Sequence, residues 1–308
     1  AGEPMYRAEV HERWDAALEF RHALGPNWRV EAELAESWRD YVQSFNERDR
    51  RRTEFELNAG WSPTAWFDLS LGGAYRRSRS RNEPDLGKDL IAIFEHNDIP
   101  VRLLDTERCC GIPKLELGDL QAVAKAKEVN IPQLAALVDK GWDIVAPVPS
   151  CVLMFKQELP LMFPDDADVA KVRDAIYDPF EYLMIRHRHD LLKTDFKNPL
   201  GKIAYHVACH LRVQNIGMKT RDLLQLVPDT EVAPIERCSG HDGTYAVKSE
   251  FHKTSMKICR PVINNVKKSN AAHYSSDCPM AGHQIENGLE DGKAPEHPLT
   301  LLRMAYGL

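Results

Sequence analysis

Apolar and polar residues alternate along the first part of the chain. In T-E-F-E-L-N-A-G-W, Phe55, Leu57, Ala59 and Trp61 alternate with Glu54, Glu56 and Asn58, the period of a strand with one apolar face. After S-P-T, Phe67, Leu69, Leu71 and Tyr75 keep one side of A-W-F-D-L-S-L-G-G-A-Y-R-R. Upstream, G-P-N separates W-D-A-A-L-E-F-R-H-A-L from W-R-V-E-A-E-L-A-E-S-W-R-D-Y. Each fits a strand or an amphipathic helix, since Val30, Leu34, Trp38 and Tyr41 also mark a helical stripe. The arginine runs R-D-R-R-R and Y-R-R-S-R-S-R read as a solvated loop and a linker.

Past residue 85 the period changes. D-L-G-K-D-L-I-A-I-F-E-H-N predicts a helix with Leu86, Leu90, Ile93 and Phe94 inward, and I-P-V-R-L-L a short strand over 99–104. A helical stretch follows over 118–140, with a kink or break expected at Ile131-Pro132. D-I-V-A-P-V predicts the next strand. The scheme then repeats: strand K-I-A-Y-H-V-A-C-H, helix T-R-D-L-L-Q-L-V, strand T-E-V-A-P-I-E, helix M-K-I-C-R-P-V-I-N-N-V and strand A-A-H-Y-S-S-D-C. Strand and helix in alternation imply an α/β fold with parallel sheets and right-handed crossovers.

Composition sharpens the seam. Residues 1–87 hold thirteen arginines, no lysine, five of the six tryptophans and no cysteine; all seven cysteines follow. Residues 1–82 therefore read as a β-hairpin segment of different origin, foreign or rearranged. Its aromatic-flanked strands resemble two hairpins of an outer-membrane β-barrel, although four strands cannot close one; an α+β cap is the alternative. The expected division is 1–82, a first β/α half over 83–198 and a second over 199–308.

The net charge of -6 gives no global reason for binding nucleic acid. No apolar run approaches the ~20 residues of a membrane-spanning helix, and A-G-E-P-M-Y-R lacks the layout of a signal peptide. Seven dispersed cysteines suit a reducing compartment better than a disulfide scaffold.

Six of them, Cys109, Cys110, Cys151, Cys209, Cys238 and Cys278, stand just past the end of a predicted strand. In an open parallel sheet that rim is where distant residues converge. Cys259 falls inside a helical stripe and reads as a buried structural thiol. Gly111 and Gly240 each follow a cysteine pair or its remnant and would let the backbone pass close to a bulky group. Soft thiolates from several positions suit iron-sulfur clusters or zinc. No C-x-x-C occurs, which excludes c-type haem and zinc-finger spacing. A lone thiol nucleophile paired with His206, His210 or His241 would leave five cysteines unexplained.

The motifs R-C-C-G-I-P-K, P-V-P-S-C-V-L-M, H-V-A-C-H, R-C-S-G-H-D-G and S-S-D-C-P-M-A-G resemble the cysteine-rich CCG domains of heterodisulfide reductase B-like proteins, those of the anaerobic glycerol-3-phosphate dehydrogenase type among them. The resemblance spans about residues 82–308. It implies two pseudo-symmetric β/α halves and a [4Fe-4S] cluster of noncubane type, with zinc as the alternative. Cys109, Cys110 and Cys151 match the first half, with Met154 where a last cysteine would stand. Cys209, Cys238 and Cys278 match the second, with Ser239 replacing one of a pair; His210 and His241 stand beside as further ligands or hydrogen-bond donors. The family's N-terminal ferredoxin-like region and first-strand cysteine have no counterpart here.

The role implied is that of an electron-transfer subunit rather than a stand-alone catalyst. It would be cytoplasmic and peripheral at the inner membrane face, between a flavoprotein dehydrogenase subunit and a quinone-linked membrane partner. A cluster-less or zinc-binding remnant and a thiol-disulfide reductase using Cys109 and Cys110 remain the alternatives.

Overall fold

A computed structural model describes residues 10–25, 28–41, 50–64, 67–80, 86–104, 108–241, 246, 248–289 and 294–308. The chain divides into two compact units, Ala1–Glu83 and Pro84–Leu308.

The first unit is an antiparallel meander of β1 (Val10–Gly25), β2 (Trp28–Tyr41), β3 (Arg50–Thr64) and β4 (Phe67–Ser80). The two ambiguous upstream segments are thus strands, registered with Trp14 opposite Trp38 and Leu18 opposite Leu34. The arginine runs are not loop and linker where they are described. Arg50, Arg51 and Arg52 pair with Ser80, Arg79 and Ser78 at the end of the β3–β4 ladder. Residues 42–49 and 81, the remainder of those runs and their surroundings, lie outside the described residues.

The second unit is α/β. Its C-terminal half is built on a parallel sheet in the order β8 (Thr230–Ile235), β7 (Gly201–His206), β9 (His273–Ser276). The central strand β7 buries Ile203, Ala204, Tyr205 and His206 in succession, as a strand covered on both faces must. Ile203 and Tyr205 enter one core with Leu223, Leu224, Leu301 and Leu302; Ala204 enters another with Cys259, Val262 and Tyr274. Helices α9 (Lys219–Leu224), α10 (Ser249–Ser269), α11 (Pro279–Leu289) and α12 (Pro298–Tyr306) follow or join these strands.

The N-terminal half carries α1 (Leu86–His96), α2 (Ile112–Glu116), α3 (Leu120–Val138) and two short parallel strands, β5 (Ile144–Val145) and β6 (Ile176–Tyr177). Cys151 lies in α4 (Pro149–Leu153), which runs through a wide π-type turn, Met154–Glu158, into α5 (Leu159–Met162). Two further helices, α6 (Ala167–Ala175) and α7 (Pro179–Arg188), lead to the second half. Ile93 and Phe94 of α1 and Phe180 and Leu183 of α7 lie in the core that also holds Ile203 and Tyr205. The two halves therefore share one hydrophobic interior.

Residues 101–104 form no strand, contrary to the expected strand over 99–104. Where the sequence predicts a kink or break, α3 runs on as one helix through Pro132, and α10 likewise runs through Pro261. Each proline costs one backbone hydrogen bond. Buried neighbours, Ile131, Leu134 and Ala135 in α3 and Cys259, Val262 and Ile263 in α10, hold the helix on either side.

Candidate metal centre

Because β7, β8 and β9 run parallel, their carboxyl ends share one rim, and Cys209, Cys238 and Cys278 follow those three ends. Cys209 opens α8 (Cys209–Arg212) and Cys278 directly precedes α11. Cys209 and Cys238 are exposed and Cys278 is half-buried. Burial pushes the Cys278 thiol up to about 11, and the neighbouring Cys209 adds to the rise.

A buried imidazole ties two of these loops together. His206 Nε2 lies 2.9 Å from the Arg237 carbonyl and Nδ1 3.0 Å from Ser276 Oγ. The carbonyl can only accept, so Nε2 carries the proton and Nδ1 accepts from the Ser276 hydroxyl. Ser276 Oγ in turn accepts the Cys278 amide at 3.3 Å. Burial lowers the His206 pKa, which keeps the ring neutral as this arrangement needs. His206 thus spans the lead-in to Cys238 and the turn at Cys278. It is a positioning residue, and in the sequence it stands out only as one of three histidines near cysteines.

Beneath Cys278, the Asp277 carboxylate accepts from Thr220 Oγ1 at 2.7 Å and from the Tyr205 hydroxyl, while its carbonyl accepts from His297 Nε2 at 3.0 Å. Burial raises Asp277 to about 6 and lowers His297 to about 4.

The first half places its thiols differently. No strand precedes Cys109 and Cys110 among the described residues; their loop hangs instead on Asn130 of α3. Asn130 Oδ1 accepts the Arg108 amide at 3.0 Å, and Nδ2 donates to the Arg108 carbonyl at 3.1 Å and the Cys109 carbonyl at 3.5 Å. Contact with the Cys151 thiol, then burial, pushes Cys110 far above the ordinary thiol range, against a smaller lowering by Cys109. Cys151 and Cys109, from two segments, thus both act on Cys110. Met154, standing for the absent last cysteine, is fully buried in the core beside Gly111.

Both glycines also have local backbone reasons to be there. Gly111 adopts φ +100, and a Cβ there would find ordinary contacts with Val123 and Met154. Gly240 adopts φ +76, and a Cβ would fall 2.2 Å from the Ser255 carbonyl oxygen of α10. Ser255 Oγ donates to the Gly240 carbonyl at 2.7 Å, so the Cys238 loop is pressed onto α10. Cys259, one turn further along α10, is fully buried and pushed up to about 12 by burial and by Cys238.

The halves meet close to their cysteines. Gln214 Nε2 donates to the carbonyls of His210, behind Cys209, and of Pro149, ahead of Cys151, at 2.9 and 3.1 Å. His241 donates its amide to Ser239 Oγ at 3.4 Å.

Among the described residues, no three His, Cys, Asp or Glu side chains close around a single point as a finished metal site. The donor chemistry nonetheless fits a soft metal or iron-sulfur centre. The Cys151 thiol raises Cys110, whereas a metal bound there would favour the thiolates.

Fold and thiols define a cysteine-rich α/β protein built of two related halves. The chain belongs to the cysteine-rich domain family known as CCG, whose model matches it twice, over residues 74–156 and 203–286. The anaerobic glycerol-3-phosphate dehydrogenase C-type polypeptide of Escherichia coli K12 is 31% identical over 227 residues, covering 73% of this chain and 56% of that protein. The B-type polypeptide of the fumarate reductase (CoM/CoB) of Methanothermobacter marburgensis is 25% identical over 232 residues, covering 72% and 44%. Lactate utilization protein A of Geobacillus kaustophilus is 28% identical over 206 residues, covering 63% and 81%. The chain thus spans about half the length of the first two.

The matches start at 74 and 203, a displacement of 129 residues. That displacement carries Cys109 onto Cys238, Gly111 onto Gly240, the start of α3 onto that of α10 to within a residue, and β5 onto the start of β9. The halves are repeats in fold as well as in motif.

Proposed function

We propose that the chain is the electron-transfer subunit of a membrane-associated dehydrogenase or reductase complex, taking electrons from a flavoprotein subunit and passing them toward quinone at the cytoplasmic face of the inner membrane. Cys109, Cys110, Cys151, Cys209, Cys238 and Cys278 would hold iron-sulfur chemistry, a [4Fe-4S] centre of noncubane type, with His210 and His241 as further donors. When bound, such a centre supplies a one-electron carrier whose potential follows ligand type, burial and hydrogen bonding. The chain's own contribution is to hold the thiols: Asn130 fixes the Cys109 loop, His206 the Cys238 and Cys278 loops, and Gln214 the seam between halves.

The observation that carries this reading is that Cys209, Cys238 and Cys278 follow the carboxyl ends of three adjacent parallel strands. That no described helix is long and apolar enough to cross a membrane suits a peripheral subunit.

Anaerobic reconstitution with iron and sulfide tests the proposal. Iron and sulfide should bind in stoichiometric amounts with visible absorption. Cys278→Ser should lose most of the bound iron and Cys259→Ser should keep it, since Cys259 is sealed in the core. Equal iron in both variants, or uptake of zinc alone, would refute the assignment.

A further inference from the structure

Within the Pro84–Leu308 unit, α10 turns one side to the core. Ser255, Cys259, Val262 and Ile263 are buried, and Met256 and Val266 pack against the same cluster. The opposite side is cationic. At 3.6 residues per turn, Lys253, Lys257, Arg260, Lys267 and Lys268 fall within an arc of about 100° around Asn264. All five are exposed. From Lys253 to Lys268 the row runs about 22 Å along the helix.

None of the five has a carboxylate partner among the described residues, whereas Lys127, Lys156, Lys171, Lys193 and Lys202 each face one. Only Glu250, in the first turn, brings negative charge to the helix. The fold does not ask for this row. Displaced by 129 residues, the matching positions in and just after α3 are Ala124, Glu128, Ile131, Val138 and Asp139, without one cation. The helix dipole favours Lys267 and Lys268 at the carboxyl end but does nothing for Lys253, Lys257 and Arg260. Like charges three and four residues apart repel, so the row costs the helix stability. An anionic surface laid against it returns that cost.

The composition of the row says which kind of surface fits. Four of the five cations are lysines and no aromatic residue stands among them, whereas interfaces between proteins are depleted in lysine and enriched in aromatic residues. A straight row of point charges suits a flat and diffuse anionic surface. Ile258, 42% exposed, and the exposed Pro261 flank it with apolar contact.

We propose that the outer face of α10 is a docking surface for an anionic lipid membrane, held by Lys253, Lys257, Arg260, Lys267 and Lys268 against lipid phosphate groups. The inference rests on the reading above only for a peripheral place at a membrane, and it is independent of metal content.

The test is sedimentation of the intact protein, without iron, with vesicles of phosphatidylcholine alone or mixed with phosphatidylglycerol. Binding should require phosphatidylglycerol and weaken at least tenfold in ~1 M salt, where the screening length falls to about 3 Å. Lys253→Gln, Lys257→Gln and Lys268→Gln combined should weaken it at least tenfold. The same loss of charge at Lys125, Lys140 and Arg188, exposed on other elements, should leave it within a few-fold of wild type. Equal binding by the two variants would overturn the surface and leave the peripheral reading standing, while no binding of wild type to either vesicle would overturn both. Adsorption to poly-glutamate but not to vesicles would assign the row to an acidic protein instead and overturn the proposal. Iron uptake, the test of the electron-transfer reading, is measured separately on the same preparations.

Discussion

Asn130 gives the residue scale its clearest test. One side chain, 4% exposed, satisfies both the amide and the carbonyl of Arg108 and reaches the Cys109 carbonyl, and so replaces the strand that the second half uses to aim its cysteines. Asn130→Ala strands two backbone groups and should cost about 2 kcal/mol. The check is a lower urea midpoint at unchanged slope, together with lower iron content after reconstitution. Nothing local marked Asn130, because an asparagine in a helical stripe reads as a surface residue until its partner loop is known. The place of Cys209, Cys238 and Cys278 after strands β7, β8 and β9 was legible in the sequence, while no described strand precedes Cys109. The reason for Gly240 was not, since it depends on how close α10 passes.

That passage belongs to the element scale. Ser255 of α10 presents its carbonyl 2.2 Å from where a Cβ on Gly240 would stand, and Gly240 also needs φ +76. Gly240→Ala therefore combines backbone strain with a clash against an immobile helix and should destabilise by on the order of 3 kcal/mol. Circular dichroism should report a lower Tm, with Gly118→Ala, where a Cβ meets nothing within 4 Å at a similar φ, losing less. Element identity was readable wherever the period was strong, as in α1, α10 and β7. It failed at residues 99–104. Their apolar run has strand character, but a strand exists only through its neighbour, and none of the described strands pairs with residues 101–104. It also missed the continuity of α3 through Pro132, where packing around the helix outweighs one lost hydrogen bond.

At the scale of the whole molecule, buried ionisable groups set the pH response. Asp178 caps α7 through its carboxylate, which accepts the Phe180 amide at 2.9 Å, and burial and then Asp277 raise its pKa to about 8. The unfolded value is about 3.9. The folded state therefore holds this proton more tightly, so its stabilising contribution is full below about pH 4 and is lost as pH rises through about 8. Asp178→Asn keeps the cap without the titration. Denaturant unfolding should show wild type losing stability relative to the variant between about pH 4 and about pH 9, and a difference independent of pH would contradict the burial of this proton. His297, lowered to about 4, acts in the opposite sense in both proteins and cancels in the comparison. The sequence by itself determined the α/β alternation, the seam in composition and the six cysteines, because period, residue type and motif are local properties of a chain. Tertiary structure alone decided that Asn130 and His206 hold the cysteine loops, and that Gly240 is pinned by α10. Each of those depends on which distant segments come to lie side by side.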